Sequence, residues 1–267
     1  MLTLLLGSFL LCLVILVGLL WMRSSGIQTP YLDEAGNLLN GSISEKAFVT
    51  IGGTRQGMFI KSKRQGNPVL LYLHGGVPDY FLTRKYPTLL EDYFTVVWWE
   101  QRGSGLSFSA DIGPETTNLD QLISDTNEVT NYLRTRFDQE KIYLMGRSGG
   151  TFIGIHAAAS APELYHAYIG IGQMSDQLES ERLSYEYILQ KYRDIGNRKM
   201  VKKLEESPVT DAVPKNYLKL RDAAMHSLGI GTTHDMHSIV TGMFLPSLIS
   251  SEYTLTEKFN LWRGKFR

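Results

Sequence analysis

Residues 141–161 read KIYLMGRSGGTFIGIHAAASA, and this stretch decides the fold. Its opening, KIYLM, is a short apolar run of buried-strand type. Its close, GGTFIGIHAAAS, is a helix pattern that should run from Gly149 to Ala161 and end before Pro162. Between them lies Gly146-Arg147-Ser148-Gly149-Gly150, with the spacing G-x-S-x-G. A sharp strand-to-helix turn pushes a serine hydroxyl out of the end of a sheet. The flanking glycines are needed because side chains there would clash with the turn. The helix N-terminus points its free amide groups at the same place. With both flanks present, Ser148 is a candidate nucleophile, and the amide of Gly149 is a candidate oxyanion donor. The competing reading is a glycine-rich turn with a solvent-facing serine.

Working outward, PVLLYLHG (68–75), FTVVWWE (94–100) and HAYIGIG (166–172) are three more buried-strand runs. Upstream, KAFVTIGG and RQGMFIKS pair as an antiparallel opening. TTNLDQLISDTNEVTNYLRTRF (116–137) places Leu119, Leu122, Ile123, Val129 and Leu133 on one helical stripe. Thr117 and Asp120 suggest a capping box at its start. This alternation predicts an α/β core over residues 46–176, a mostly parallel sheet with helices on both faces. Residues 24–45, rich in Gly, Ser, Asn and acidic residues, read as a linker with turns. Residues 177–267 are helical in pattern, as in LESERLSYEYILQKYRDIG and NRKMVKKLEES, and read as a partial helical cap.

Composition narrows the function classes. Lys plus Arg and Asp plus Glu both number 27, so nothing neutralises phosphates in bulk and a nucleic-acid partner is not expected. The one cysteine, Cys12, allows no intrachain disulfide, and Cys/His metal spacing is absent. No metal or cofactor is expected.

Residues 2–22, LTLLLGSFLLCLVILVGLLWM, carry no charge and match the roughly 30 Å core of a bilayer. Trp21 and Arg23 suit an interface. Residues 1–23 are therefore expected to be a single-pass transmembrane anchor, with the side of the membrane open. A cleaved signal peptide is disfavoured, since no basic residue precedes the run and no small-residue cleavage site closes it.

Two further motifs follow strands. His74-Gly75-Gly76 comes after PVLLYL, where such a loop can offer the backbone N–H of Gly76 to an oxyanion hole. His74 reads as a structural histidine bracing that loop. Glu100-Gln101-Arg102-Gly103-Ser104-Gly105 comes after FTVVWW. HGG, then an acid followed by QRGxG, then G-x-S-x-G, each after its own strand, resembles the prolyl iminopeptidase branch of the α/β-hydrolases. The resemblance covers about residues 46–176, and it implies a serine hydrolase acting on an ester or amide of a small molecule or peptide. Two positions depart from it. Val77-Pro78 stands where the family has proline directly after HGG, and Glu100 stands where it has aspartate. Glu100 and Arg102 are expected to brace the loop by ion pairing and hydrogen bonding.

The resemblance also implies a Ser–Asp–His order, with acid and base on loops after later strands. No strand-then-Asp or closing His segment is visible after residue 177, and the chain ends at Gly264-Lys265-Phe266-Arg267 in what reads as mid-cap. The expectation is a C-terminally truncated chain that lacks the pair. Asp176, directly after HAYIGIG, is a weak substitute acid. His226, His234 and His237 read as exposed cap residues, and His156 and His166 as structural. Aminopeptidase specificity would need acidic cap groups for a substrate amine. Glu179, Glu181 and Glu186 are available, although a charged helix face is the plainer reading. The alternative to an enzyme is a non-catalytic, membrane-tethered binding or scaffold protein derived from a hydrolase. An incomplete sheet would also leave an exposed edge and an uncovered apolar face.

Overall fold

A computed structural model describes residues 2–265 apart from His234; for Pro114, Lys265 and part of the first helix it describes the backbone alone. The chain divides into two compact units, one formed by Met1–Gln173 with Ser247–Arg267 and the other by Met174–Pro246.

The first unit is built on a six-stranded sheet. Its strands are β1 (Ile43–Ile51), β2 (Thr54–Ser62), β3 (Val69–Leu73), β4 (Thr95–Glu100), β5 (Ile142–Arg147) and β6 (Tyr165–Ile171), in the order β1-β2-β4-β3-β5-β6. β1 and β2 form the antiparallel opening, with Ile51 opposite Thr54, and β2 pairs antiparallel with β4. β4, β3, β5 and β6 run parallel. β3 and β4 are buried at every position, which is why their sequences show no polar alternation. Each fully buried Leu, Val or Ile there stabilises the fold by about 1.5–3 kcal/mol.

One face of the sheet is covered by α2 (Leu119–Phe137) and α3 (Gly149–Ser160), whose Val129, Leu133, Ile153 and Ala157 join Leu71, Leu73, Val97 and Leu144 in the core. α2 begins one residue later than the capping-box reading placed it. Asn118 is the N-cap, accepting the N–H of Gln121, because its side chain reaches the first free amides directly. The other face carries an aromatic cluster. Tyr80 stacks on Phe59, and Tyr253 meets the same ring edge-on. Tyr253 arrives from the returning segment 247–265, which includes α7 (Leu255–Lys265). The cap boundary drawn at 177–267 is thereby corrected, because residues 247–267 belong with the sheet. β6 ends the sheet, and Ile171 is exposed there, as are Phe152 and Ile155 of α3.

The helix α1 spans Leu2–Met22. Among the described residues no helix is long and apolar enough to cross a membrane. About half of the side chains of the expected anchor, Cys12 among them, lie outside those described. Residues 24–29, read as linker, are tied down at several points. Gly26 N–H donates to the Ser251 carbonyl at 2.9 Å, and the Thr29 N–H to Glu252 Oε1 at 2.6 Å. Lys258, fully buried, donates to the carbonyls of Arg23 and Leu248 at 2.7 Å each and to Ser24 Oγ at 2.9 Å. A turn-rich composition marks bends but does not tell a free chain from one whose amides have found partners.

The second unit holds α4 (Gln177–Asp194), α5 (Arg198–Glu205) and α6 (Tyr217–Ser227). They pack around Tyr185, Ile188, Tyr192, Leu204 and Tyr217.

Candidate active site

β5 ends at Arg147 and α3 begins at Gly149, so Ser148 alone makes the bend. It sits at φ 50°, ψ −124°, a left-handed conformation that costs a non-glycine residue on the order of 1–3 kcal/mol. Its N–H donates to the Ile171 carbonyl at 2.9 Å, which pins the bend to β6. The residue is exposed, and among the described residues none hydrogen-bonds its hydroxyl. α3 has no side-chain cap; the Thr151 N–H donates to the Ser148 carbonyl at 2.8 Å, and the amides of Gly149 and Gly150 precede it beside the serine.

The HGG loop packs directly on this bend. A Cβ on Gly75 would lie 3.0 Å from Ser148 Cβ and 3.2 Å from the Arg147 carbonyl. A Cβ on Gly150 would lie 2.2 Å from the Leu73 carbonyl. Only glycine lets the end of β3, the loop and the start of α3 come this close. Gly76 is exposed and has open space around its Cβ position.

His74 is buried, and both ring nitrogens are engaged. Nδ1 donates to the Gly75 carbonyl at 2.7 Å, and Nε2 accepts the Gln101 N–H at 3.2 Å. Burial lowers its pKa, so the ring is neutral with its proton on Nδ1. Its bonds run to the loops after β3 and β4.

The loop after β4 is braced by two separate systems. Glu100 is buried; Tyr253 donates to its Oε1, and the Leu106 N–H donates to Oε2 at 2.5 Å. Burial pushes its carboxyl up to about 8, against the opposing pull of those two hydrogen bonds. Arg102 does not pair with Glu100. It forms a two-pronged ion pair with Asp125 of α2, Nε to Oδ2 at 2.7 Å and Nη2 to Oδ1 at 2.9 Å. Arg102 thus has its acid on α2, and Glu100 has hydrogen-bond donors instead of a cation. Gln56 and Gln121 fill the remaining sites on Asp125, at 2.7 and 2.8 Å.

Residues 69–227, more than half of the chain, match the family described as serine aminopeptidase, S33. The chain belongs to the serine aminopeptidase S33 family. It is a hydrolase by lineage, and its mostly parallel sheet with flanking helices is the α/β-hydrolase fold. The S33 chain is 39% identical over 149 residues to the probable aminopeptidase YbaC of Bacillus subtilis, a match covering 55% of this chain and 47% of that one. It therefore spans about half the length of the curated relative it matches. Solved structures similar to it include an α/β hydrolase from Novosphingobium aromaticivorans, 21% identical with a TM-score of 0.42 over 57% of this chain and 56% of that one. An epoxide hydrolase of Vigna radiata is 17% identical, with a TM-score of 0.42 over 82% of this chain and 73% of its own.

The other residues singled out in this S33 chain are engaged elsewhere. Asp176 caps α4, accepting the Glu179 N–H at 2.9 Å. His156 lies against Phe152 and His166 against Tyr143, both on exposed positions. His226 lies in the last turn of α6, His237 is exposed, and His234 lies outside the described residues. Glu179 and Glu186 share Arg182 on an exposed face of α4, whereas Glu181 is buried against Arg221. The sequence reading missed Asp125, Tyr253 and the ion pair between Arg147 and Asp79, whose Nη1 and Oδ2 lie 2.7 Å apart.

Proposed function

We propose that this chain is a serine hydrolase of the prolyl iminopeptidase-like branch, aminopeptidase-like, acting on an ester or amide of a small molecule or peptide. The reading rests on one observation: a left-handed serine at a strand-to-helix bend, with a glycine loop packed so closely on it that a Cβ on Gly75 would lie 3.0 Å from Ser148 Cβ. Ser148 Oγ attacks the substrate carbonyl carbon and gives its proton to a base. The carbonyl electron pair moves onto oxygen, where the N–H groups of Gly76 and Gly149 hold the charge. Collapse expels the alcohol or amine, which takes up the proton, and water repeats the addition to free the acid. His74, Glu100 and Arg102 hold the loops and do not touch substrate. Among the described residues no base and acid are assembled around Ser148.

A fluorophosphonate probe tests this, since Oγ–P bond formation expels fluoride only at an activated serine. The purified chain should label at Ser148, slowly if the base is absent, and Ser148→Ala should not label. A second reading is a non-catalytic binding protein. The observation favouring it is that no described imidazole reaches the Ser148 hydroxyl. A chain that never labels supports that reading. The apolar run 2–22 supports a further proposal, a single-pass membrane anchor; release of the full chain from membranes by alkaline carbonate would count against it.

A further inference from the structure

Two residues that the proposed chemistry leaves unused join the bend to the loop. Arg147, immediately before Ser148, has its Nη1 2.7 Å from Oδ2 of Asp79. Asp79 lies three residues after Gly76, with Pro78 between them fixing the backbone. The Tyr72 hydroxyl of β3 donates to the same Oδ2 at 3.0 Å. Oδ1, by contrast, is buried and has no hydrogen-bond partner among the described residues. The carboxylate is only 8% exposed, and one of its oxygens is left bare. Such a group is poorly placed for stability alone, because the bare oxygen loses its water without compensation.

The geometry points to a positioning role: the Arg147–Asp79 pair fixes the gap between the Ser148 hydroxyl and the amide of Gly76. This assignment rests on the reading of Ser148 as nucleophile. The bend is held on its β6 side by the Ser148 N–H to the Ile171 carbonyl. On its β3 side the Arg147 side chain is the described link to the loop. The loop is held at its start by His74, through Gly75 and Gln101, and at its end by Asp79. Gly76 lies between these two fixed points with nothing near its Cβ position, so its amide goes where the ends put it. Without Arg147 the Asp79 end keeps its Tyr72 bond to β3 but loses its tie to the bend, so the donor can drift relative to Ser148, and a drift of about 1 Å at a reacting centre costs about 100-fold in rate.

The test uses the full chain, with Arg147→Met, Arg147→Lys and Ser148→Ala. Two measurements are made: the maximal fluorophosphonate labelling rate with its half-saturating probe concentration, and amide hydrogen exchange of residues 75–80. In Arg147→Met the maximal rate should fall about 100-fold with half-saturation unchanged, and exchange of 75–80 should rise about tenfold. Arg147→Lys keeps the charge and should restore most of the rate. A Met variant that labels within about threefold of the parent overturns the positioning role while leaving Ser148 as nucleophile. A parent chain that never labels overturns the nucleophile reading, and the positioning role falls with it; the pair is then structural, whatever the exchange shows.

Discussion

Glu100 should make the stability of this protein fall as the solution turns alkaline, and Glu100→Gln should abolish that fall. The carboxyl is buried, receives hydrogen bonds from Tyr253 and the Leu106 N–H, and titrates at about 8 instead of 4.5. A carboxyl whose folded pKa lies above its unfolded value favours the folded state most when both are protonated. Its contribution is complete below about pH 4.5 and is lost as pH rises through 8. The difference between 4.5 and 8 corresponds to on the order of 3–5 kcal/mol, or about 10 °C in melting temperature for a domain this size. Glutamine keeps the shape: its oxygen can accept from Leu106, and its amide can donate to the Tyr253 hydroxyl. The assay is calorimetric melting of both proteins from pH 5 to 9. Lys258, pushed down to about 8 by burial first and by Arg23 second, acts with the opposite sign, adding stability as pH rises from 8 towards 10.5. It is common to both proteins and cancels in the comparison. The wild-type curve should drop away from the variant curve between pH 5 and 8.5. Parallel curves would refute the claim that Glu100 is neutral at pH 7.

Two more outcomes follow from the packing. Asp125→Ala leaves the buried Arg102 guanidinium without its acid and should cost about 3–5 kcal/mol in urea unfolding; a loss below about 1 kcal/mol would mean that water reaches Arg102. Gly150→Ala drives a Cβ to within 2.2 Å of the Leu73 carbonyl and should prevent folding or cost more than about 3 kcal/mol, whereas Gly76→Ala, with open space, should stay within about 1 kcal/mol of the parent. Equal stability of these two alanine variants in thermal melts would contradict the close approach of β3 to α3.

The strand–bend–helix at 141–161 was readable because three signals coincide in one short stretch: an apolar run, paired glycines and a helix pattern. The antiparallel opening and the four parallel strands were readable for the same reason, as apolar runs bounded by turns. The cover over the second face was not. It rests on single residues far apart in sequence, Tyr80 and Tyr253, and no periodicity announces such a meeting. Asp125 did carry a signal that went unread. It lies three residues after Leu122 and four before Val129, on the apolar stripe of α2, and a charge on a buried stripe requires a buried partner. Arg102 was the obvious one available. Glu181 repeats the lesson: one of three glutamates on a helix that reads as a charged face, it points inward to Arg221.

The stitching of residues 23–29 to 248–258 changes what α1 can do to the rest of its unit. A loose leash of residues 24–45 would let a body wander roughly 25 Å from its mooring and turn any side towards it. Lys258 removes that slack at Arg23, one step beyond the helix. Whatever grips α1 therefore holds the sheet by the handle, and a push on one is felt by the other.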